Sequence, residues 1–224
     1  MNELKKYALI VAGGSGSRMN APVAKQFLLL NNYPVLMHTM VRFFQYDHTM
    51  ELILVLPEEQ FDYWRSLCKS YEFEIPHKLV KGGKVRFDSV KNGLDSITEE
   101  GIVAIHDGVR PLVSNETIDR CFRMTEDKGN AIPVIPVVES LRKIEGKDSK
   151  AVDRSSYLTI QTPQVFLVSE IKLAYGRGYD PLFTDDATVL ERLGKTLNLV
   201  EGNRENIKIT HPTDLVIAGA LIKM

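Results

Sequence analysis

The first apolar run of the chain ends in Ala12-Gly-Gly-Ser-Gly-Ser-Arg18, and Lys25-Gln-Phe27 follows within a few residues. Glycines placed directly after a strand let backbone N–H groups approach a phosphate closely. Taken alone, Gly13, Gly14 and Gly16 fit an ordinary strand-to-helix turn equally well. Arg18 and Lys25 tip the reading. Two cations beside a nest of N–H groups neutralise a triphosphate, which a structural turn does not require. Two familiar loops are excluded. A P-loop closes on Gly-Lys-Ser/Thr, whereas this loop continues Arg18-Met-Asn20. A dinucleotide fingerprint starting at Gly14 needs Gly or Ala at position 19, where Met stands. It also needs an acidic residue about 20 residues further on, at the end of the second strand. Nicotinamide chemistry fits poorly.

Further along, Gly82-Gly-Lys-Val-Arg86-Phe-Asp-Ser89 opens a helical stretch. Gly83 and Ser89 suit a ribose or base, although a plain helix start explains them better when they are read alone. His106-Asp107-Gly-Val-Arg110-Pro111 follows a strand pattern. Ligands of open α/β sheets bind outside the carboxyl ends of strands, where Asp107 falls. A carboxylate there holds Mg²⁺, which takes oxygen ligands and bridges phosphates; an Asp107–Arg110 pair bracing a loop is the equal alternative. His106 reads as a hydrogen-bonded strand end and not as a catalyst. Ser140, Arg154, Thr184-Asp185-Asp186 and Asn206-Ile-Lys208-Ile-Thr210 complete the polar candidates. Taken singly, each is explained by structure: Thr184 or Asp185 as a helix N-cap, Lys208 as the outer residue of a strand flanked by Ile207 and Ile209.

Elements that position these residues alternate between short apolar runs and helical patterns, the signature of an α/β fold with a mainly parallel sheet flanked by helices. Strands are expected at 7–11, 52–56, 78–80, 102–106, 131–136 and 196–200. Helices are expected at 35–46, 58–71, 87–97, 115–126, 169–175, 186–193 and 212–222. Residues 137–160 break the rhythm, with alternating segments on both sides of a Gly-containing turn, and predict a protruding β-hairpin. A lone hairpin is barely stable in water, so this one must pack on its own domain or on a second subunit.

The 224 residues suit a single domain. With 28 basic and 29 acidic residues the net charge is −1, and no basic field exists for non-specific binding to nucleic acid or a membrane surface. Any anionic ligand is therefore met by locally placed Arg and Lys. Cys68 and Cys121 lack disulfide-framework or metal spacing and read as reduced packing residues. The apolar run after Lys5-Lys6 is too short for a signal sequence, and no stretch reaches membrane-span length. A cytoplasmic protein is expected.

Read as an ordered series, the segments resemble the 2-C-methyl-D-erythritol 4-phosphate cytidylyltransferase family of non-mevalonate isoprenoid synthesis. The series is the Ala12–Arg18 loop, Lys25-Gln-Phe, Gly82-Gly-x-x-Arg86-x-x-Ser89, His106-Asp-x-x-Arg110-Pro, Thr162-Pro-Gln, Thr184-Asp-Asp-Ala and Glu201-Gly-x-x-x-Asn206-Ile-Lys208-Ile-Thr. The resemblance implies a Rossmann-like nucleotidyltransferase fold and a homodimer with interlocking hairpin arms. It implies CTP and a polyol phosphate as substrates and a divalent cation as cofactor. It also assigns roles: Ala12, Gly13, Gly14, Gly16, Gly83 and Ser89 to CTP; Arg18, Lys25 and Lys208 to catalysis; Asp107 to metal and substrate. Arg110, Ser140, Arg154 and Thr184 fall around the acceptor, with Ser140 and Arg154 reaching across from the partner. The departures from the family pattern are Ala24 in place of Pro, Lys84 in place of a frequent acid, Ser140 in place of Thr, and Gly108-Val109 in place of a common small pair. The nearest rival is a ribitol-5-phosphate cytidylyltransferase; a non-catalytic nucleotide-binding module and a sugar-1-phosphate nucleotidyltransferase stand further off.

Overall fold

The computed structural model describes residues 4–14 and 23–222; Gly16 and Arg18 lie outside the described residues. Its strands are β1 (Lys6–Val11), β2 (Leu29–Leu30), β3 (Tyr33–Pro34), β4 (Glu51–Leu56), β5 (Lys78–Lys81), β6 (Ile102–Asp107), β7 (Asn130–Pro136), β8 (Leu141–Glu145), β9 (Asp148–Val152), β10 (Leu158–Ile160), β11 (Gln164–Leu167) and β12 (Leu199–Glu201). The helices are α1 (Val35–Tyr46), α2 (Phe61–Ser70), α3 (Arg86–Asp95), α4 (Asn115–Lys128), α5 (Val168–Tyr175), α6 (Asp186–Glu191) and α7 (Pro212–Leu221). Strands β5, β4, β1 and β6 are parallel neighbours in that order. Next comes β11, antiparallel to both β6 and β7. Strand β7 also pairs antiparallel with β10 and parallel with β12. The sheet is mainly parallel and flanked by helices, as expected.

The central strands read as unbroken apolar runs because both faces are covered, the usual condition of a parallel sheet. Successive side chains of a strand point to opposite faces. Accordingly Ala8, Ile10, Leu52, Leu54, Ile102 and Ala104 pack with α1, α2 and α4 around Met37, Phe43, Trp64 and Phe122. Tyr7, Leu9, Ile53, Val55, Val103 and Ile105 face α3, α5 and α6 around Val90, Ile171 and Leu190. A third cluster, with Val35, Val109, Ile209 and Ala218, seats α7.

Three expectations need correction. The hairpin in 137–160 is narrower than predicted: only β8 and β9 pair as its arms, with Gly146 at φ 65° in the turn. The chain then makes a short 3₁₀ turn, Arg154–Ser156, capped by Asp153, and β10 returns to the main sheet on β7. Arg154 therefore sits past the hairpin's second strand, and Ser140 just before its first. The second correction is β11, which was not expected. It is four residues long with its first three buried, so it shows no alternation to betray it. The third concerns Lys208: Ile209 is buried and donates its N–H to the Val109 carbonyl, but residues 206–210 form no strand.

Gly93 lets α3 approach the sheet. A Cβ there would stand 2.5 Å from Leu9 Cδ1 and 3.0 Å from Val55 Cγ2, both buried side chains. Gly93→Ala gains about 1 kcal/mol in helix propensity but overpacks the core at a cost of about 1–3 kcal/mol. The variant should therefore have a lower urea midpoint than the wild type; a raised midpoint would show that Leu9 yields freely.

Candidate active site

Ala12, Gly83 and Asp107 lie at or just past the carboxyl ends of β1, β5 and β6. Beyond β1, the Ala12 N–H donates to the Val55 carbonyl at 2.9 Å, and the Ala12 carbonyl accepts from Gln26 Nε2 at 2.8 Å. Gln26 is fully buried and also donates to Gln60 Oε1. Phe27 packs edge-on to Tyr63 at 5.1 Å and beside Trp64. These two buried neighbours fix the 3₁₀ turn Lys25–Phe27 and so aim Lys25 back over the glycine loop. A Cβ on Gly14 would meet Lys25 Cε at 3.5 Å and Nζ at 3.9 Å.

On the other side of that loop, Ser89 is buried in the first turn of α3. Its Oγ accepts the Gly83 N–H at 3.0 Å and donates to the Val85 carbonyl. At Gly83 a Cβ would fall 2.1 Å from Asp88 Cβ, so only glycine lets the loop close on the helix start. Ser89 thus shapes the loop, and Gly13 approaches the same hydroxyl.

Asp107 ends β6 with its side chain 10% exposed. Arg110 Nε donates to Oδ2 at 3.0 Å, and Lys208 Nζ lies 3.1 Å from the same oxygen. Arg86 Nε faces Oδ1 at 3.9 Å. Burial alone would push this carboxyl up. The cations Lys208, Arg86 and Arg110 instead hold it well below the usual carboxylate range. The bracing pair is present: Arg110 ties Asp107 to the Asn206 carbonyl at 2.8 Å, and Lys208 comes alongside.

His106 is the hidden support. Its Nε2 lies 3.0 Å from the Arg110 carbonyl, an acceptor, so Nε2 carries the proton. Its Nδ1 must then accept from Thr162 Oγ1 at 3.0 Å, and that hydroxyl accepts the Asp107 N–H at 3.1 Å. One neutral ring thereby fixes both ends of the Asp107–Arg110 loop, the strand-end role expected for it.

Two clefts meet at Asp107. One, of about 190 Å³, is lined by Ala12, Gly13, Gly14, Lys25, Gly83, Ser89 and Lys208 among others. The second carries Arg110, Thr162, Gln164, Thr184 and Asp185. Asp185 is the N-cap of α6, in a capping box with Thr188. Ser140 and Arg154 are exposed and line neither cleft among the described residues; the Arg154 guanidinium donates to the Val138 carbonyl. Among the described residues no three His, Cys, Asp or Glu side chains could hold a metal by themselves. Mg²⁺ commonly binds through one or two carboxylates with substrate phosphates and water supplying the rest. Asp107 fits that mode: Arg86 Nε lies 3.9 Å from Oδ1, beyond hydrogen-bond distance.

Sequence reasoning placed Arg86 in a motif but gave it no role or partner; its guanidinium makes two hydrogen bonds to Asp186 at 2.7 and 2.6 Å. A local signal was present: a cation at the positively polarised start of a helix needs a partner.

An open, mainly parallel sheet with a glycine loop and clustered cations at its carboxyl ends defines a nucleotide-binding group-transfer protein. The family model for IspD, 2-C-methyl-D-erythritol 4-phosphate cytidylyltransferase, matches residues 7–224. This chain belongs to that family. A 2-C-methyl-D-erythritol 4-phosphate cytidylyltransferase of Bacteroides fragilis is 52% identical over 96% of this chain and 98% of its own. One from Bacteroides thetaiotaomicron is 49% identical over 98% of this chain and 100% of its own. Among solved structures, the Thermus thermophilus 2-C-methyl-D-erythritol 4-phosphate cytidylyltransferase superposes with a TM-score of 0.77 at 30% identity, covering 98% of each chain. The 4-diphosphocytidyl-2C-methyl-D-erythritol synthase of Anaerococcus prevotii gives 0.84 at 25% identity, over 97% of this chain and 95% of that one.

The His106 ring supplies a pH test of this scaffold. Burial pushes its pKa down to about 4, against about 6.5 in an unfolded chain. The native state thus holds the ring neutral. This contribution is complete above pH 6.5 and is lost as the pH falls from 6.5 towards 4, by about 3 kcal/mol in all. Urea midpoints at pH 7.5 and 4.5 should differ by less in His106→Gln than in the wild type. Equal pH dependence in the two proteins would show that His106 does not couple folding to protons.

Proposed function

We propose that this chain transfers the cytidylyl group of CTP to the phosphate of 2-C-methyl-D-erythritol 4-phosphate, releasing pyrophosphate, in the cytoplasmic synthesis of isoprenoid precursors. One observation carries the reading: the glycine loop under Lys25 and the Asp107–Arg110–Lys208 cluster line two clefts that meet at Asp107. Family membership supplies the identity of both substrates. No helix among the described residues is long and apolar enough to cross a membrane.

An oxygen of the acceptor's phosphate attacks the α-phosphorus of CTP, and the bond from that phosphorus to the bridging oxygen of the β-phosphate breaks. Pyrophosphate leaves with the electron pair. A phosphate monoester has its second pKa near about 6, so the nucleophile is already ionised at neutral pH and no general base is required. The protein's task is to hold two polyanions in line and to neutralise the charge that develops. Gly13, Gly14, Gly83 and Ser89 cradle the nucleotide; Arg18 and Lys25 grip the triphosphate. Lys208, Arg110 and Thr184 face the acceptor. Asp107 would hold Mg²⁺, which when bound neutralises phosphate charge and orients the triphosphate.

The acceptor pocket is completed in a homodimer by Ser140 and Arg154 of the partner's arm. This reading is supported by the exposure of Val138, Ile144, Tyr157 and Leu158 along the hairpin and its base, a row of apolar side chains unsuited to water. The planar fork of Arg154 suits bidentate capture of a phosphate.

A pyrophosphate-release assay crossing the four nucleoside triphosphates with 2-C-methyl-D-erythritol 4-phosphate and ribitol 5-phosphate tests the reaction. Turnover is expected only with CTP and the erythritol phosphate; preference for ribitol phosphate would overturn the acceptor. In the same assay Lys25→Ala should lose on the order of 10²–10³ in kcat, as for loss of one oxyanion-hole donor, with its urea midpoint preserved. Unchanged turnover would remove Lys25 from the triphosphate site.

Subunit mixing tests the arm. Arg154→Ala and Lys25→Ala homodimers should each be nearly inactive. A mixed dimer has one site with wild-type Lys25 from one protomer and wild-type Arg154 from the other. Random exchange makes half the dimers mixed, each with one good site of two, so activity should recover to about a quarter of wild type. Verified mixed dimers with no recovery would mean that each arm serves its own subunit.

A further inference from the structure

Arg86 is the first residue of α3 and borders three clefts: the nucleotide cleft, the acceptor cleft and a small aromatic one beside Tyr179 and Phe183. Its two terminal nitrogens are both occupied by Asp186, which is fully buried at the start of α6. The Tyr175 hydroxyl donates to the same carboxylate at 2.6 Å. Burial opposes the charge on Arg86, yet the Asp186 carboxylate holds the guanidinium protonated beyond its ordinary range. One residue earlier, Asp185 accepts from Gln164 Nε2 at 2.7 Å, and Gln164 Oε1 accepts the Ala187 N–H at 2.8 Å. Gln164 pairs in the sheet with Ile105, two residues before Asp107. Towards Asp107 itself Arg86 offers Nε at 3.9 Å, a charge but not a hydrogen bond.

We infer that Arg86, clamped by Asp186 and Tyr175, is a positioning residue for the transfer. It sets the spacing between the nucleotide wall at residues 82–89 and the acceptor wall at Thr184 and Asp185. This inference rests on the cytidylyltransfer reading and adds a role to it. Arg110 and Lys208 hold Asp107 by direct contact, whereas Arg86 spends its fork on the far wall. A bidentate pair fixes distance and orientation together, which a lysine's point charge does not. The two substrates sit on opposite sides of this link, and in-line transfer is sensitive to it: a misplacement of about 1 Å costs roughly 10²-fold in rate. A purely structural ion pair would behave otherwise, because replacing a buried pair with apolar side chains of similar volume is often neutral or stabilising.

Two variants separate these roles. Arg86→Met/Tyr175→Phe/Asp186→Leu removes the buried polar group as a whole, and Arg86→Lys keeps the charge while losing the fork. For each, the urea midpoint, the CTP dissociation constant without acceptor, and the single-turnover rate at saturating CTP and 2-C-methyl-D-erythritol 4-phosphate are measured. The triple variant should fold and bind CTP within about threefold of wild type, yet turn over on the order of 10²-fold more slowly. Arg86→Lys should also be slowed by at least about tenfold at an unchanged CTP dissociation constant, which keeps the test decisive if the triple variant does not fold. Turnover by either folded variant within about twofold of wild type overturns the role, since the pair then only stabilises. So does Arg86→Lys with weakened CTP binding or a raised acceptor KM at an intact saturated rate, because Arg86 would then bind substrate directly. Absence of turnover by the wild type with CTP and the erythritol phosphate would instead overturn the cytidylyltransfer reading, before any variant is compared.

Discussion

A carboxylate almost removed from water, Asp107, is the constraint around which the site is arranged. Taking such an ion out of solvent costs several kcal/mol even after relaxation. One opposite charge about 4 Å away returns roughly 4 kcal/mol at the dielectric typical of protein sites. Three cations stand at 3.0, 3.1 and 3.9 Å from this carboxylate. Together these cations hold Asp107 ionised, well below the usual carboxylate range. The same requirement dictates where much of the chain must go. Arg110 must turn back on the loop, the segment carrying Lys208 must pass over β6, and α3 must begin where Arg86 can see Oδ1. Two distant parts of the sequence, carrying Arg86 and Lys208, join the adjacent Arg110 at one strand end around one charge.

That arrangement also answers how a chain of net charge −1 can gather two polyanions. The two clefts that meet at Asp107 are lined by Lys25, Lys84, Arg86, Arg110 and Lys208 against Asp107 and Asp185, a surplus of three positive charges among the described residues. Counting Asp186 behind Arg86 leaves two. The surplus is local and partly shielded by low-dielectric walls, where it acts more strongly than the same charges spread over the surface. Glycine at position 83 and the buried hydroxyl of Ser89 add shape without charge.

The parts legible in the sequence were those encoded locally. Helix α1 was read to the residue, and the central strands were found because burial on both faces leaves continuous apolar runs. The glycine loop and Asp107 stood out by their place after strands, and Lys25 as a cation near that loop. What escaped depends on partners distant in sequence. Strand β11 is short and lies between β6 and β7, so its register is set by neighbours and not by its own pattern. Lys208 looked like a strand residue because Ile207 and Ile209 flank it, yet Ile209 reaches the core from a coil held by Val109. The bond between Arg86 and Asp186 spans 100 residues, and only the cation's awkward place at a helix start hinted at it.

The hairpin shows why a chain can carry an element that its own core does not explain. Strands β8 and β9 form a separate two-stranded sheet, with Ile144 72% exposed near its turn. Two strands alone are marginal in water, and the ion pairs of Glu145 with Lys143 and Lys150 lie on exposed side chains, where each adds little. Neither its own pairing nor these ion pairs stabilises the arm by much. Burying its apolar side chains against a second copy would do so at about 25 cal/mol per Å². It would also bring Arg154, which lines neither cleft of its own chain, to where a phosphate needs a planar cation. In the proposed dimer the stabilisation of the arm and the completion of the acceptor pocket would be one event, and association would then be a condition of catalysis and not an addition to it.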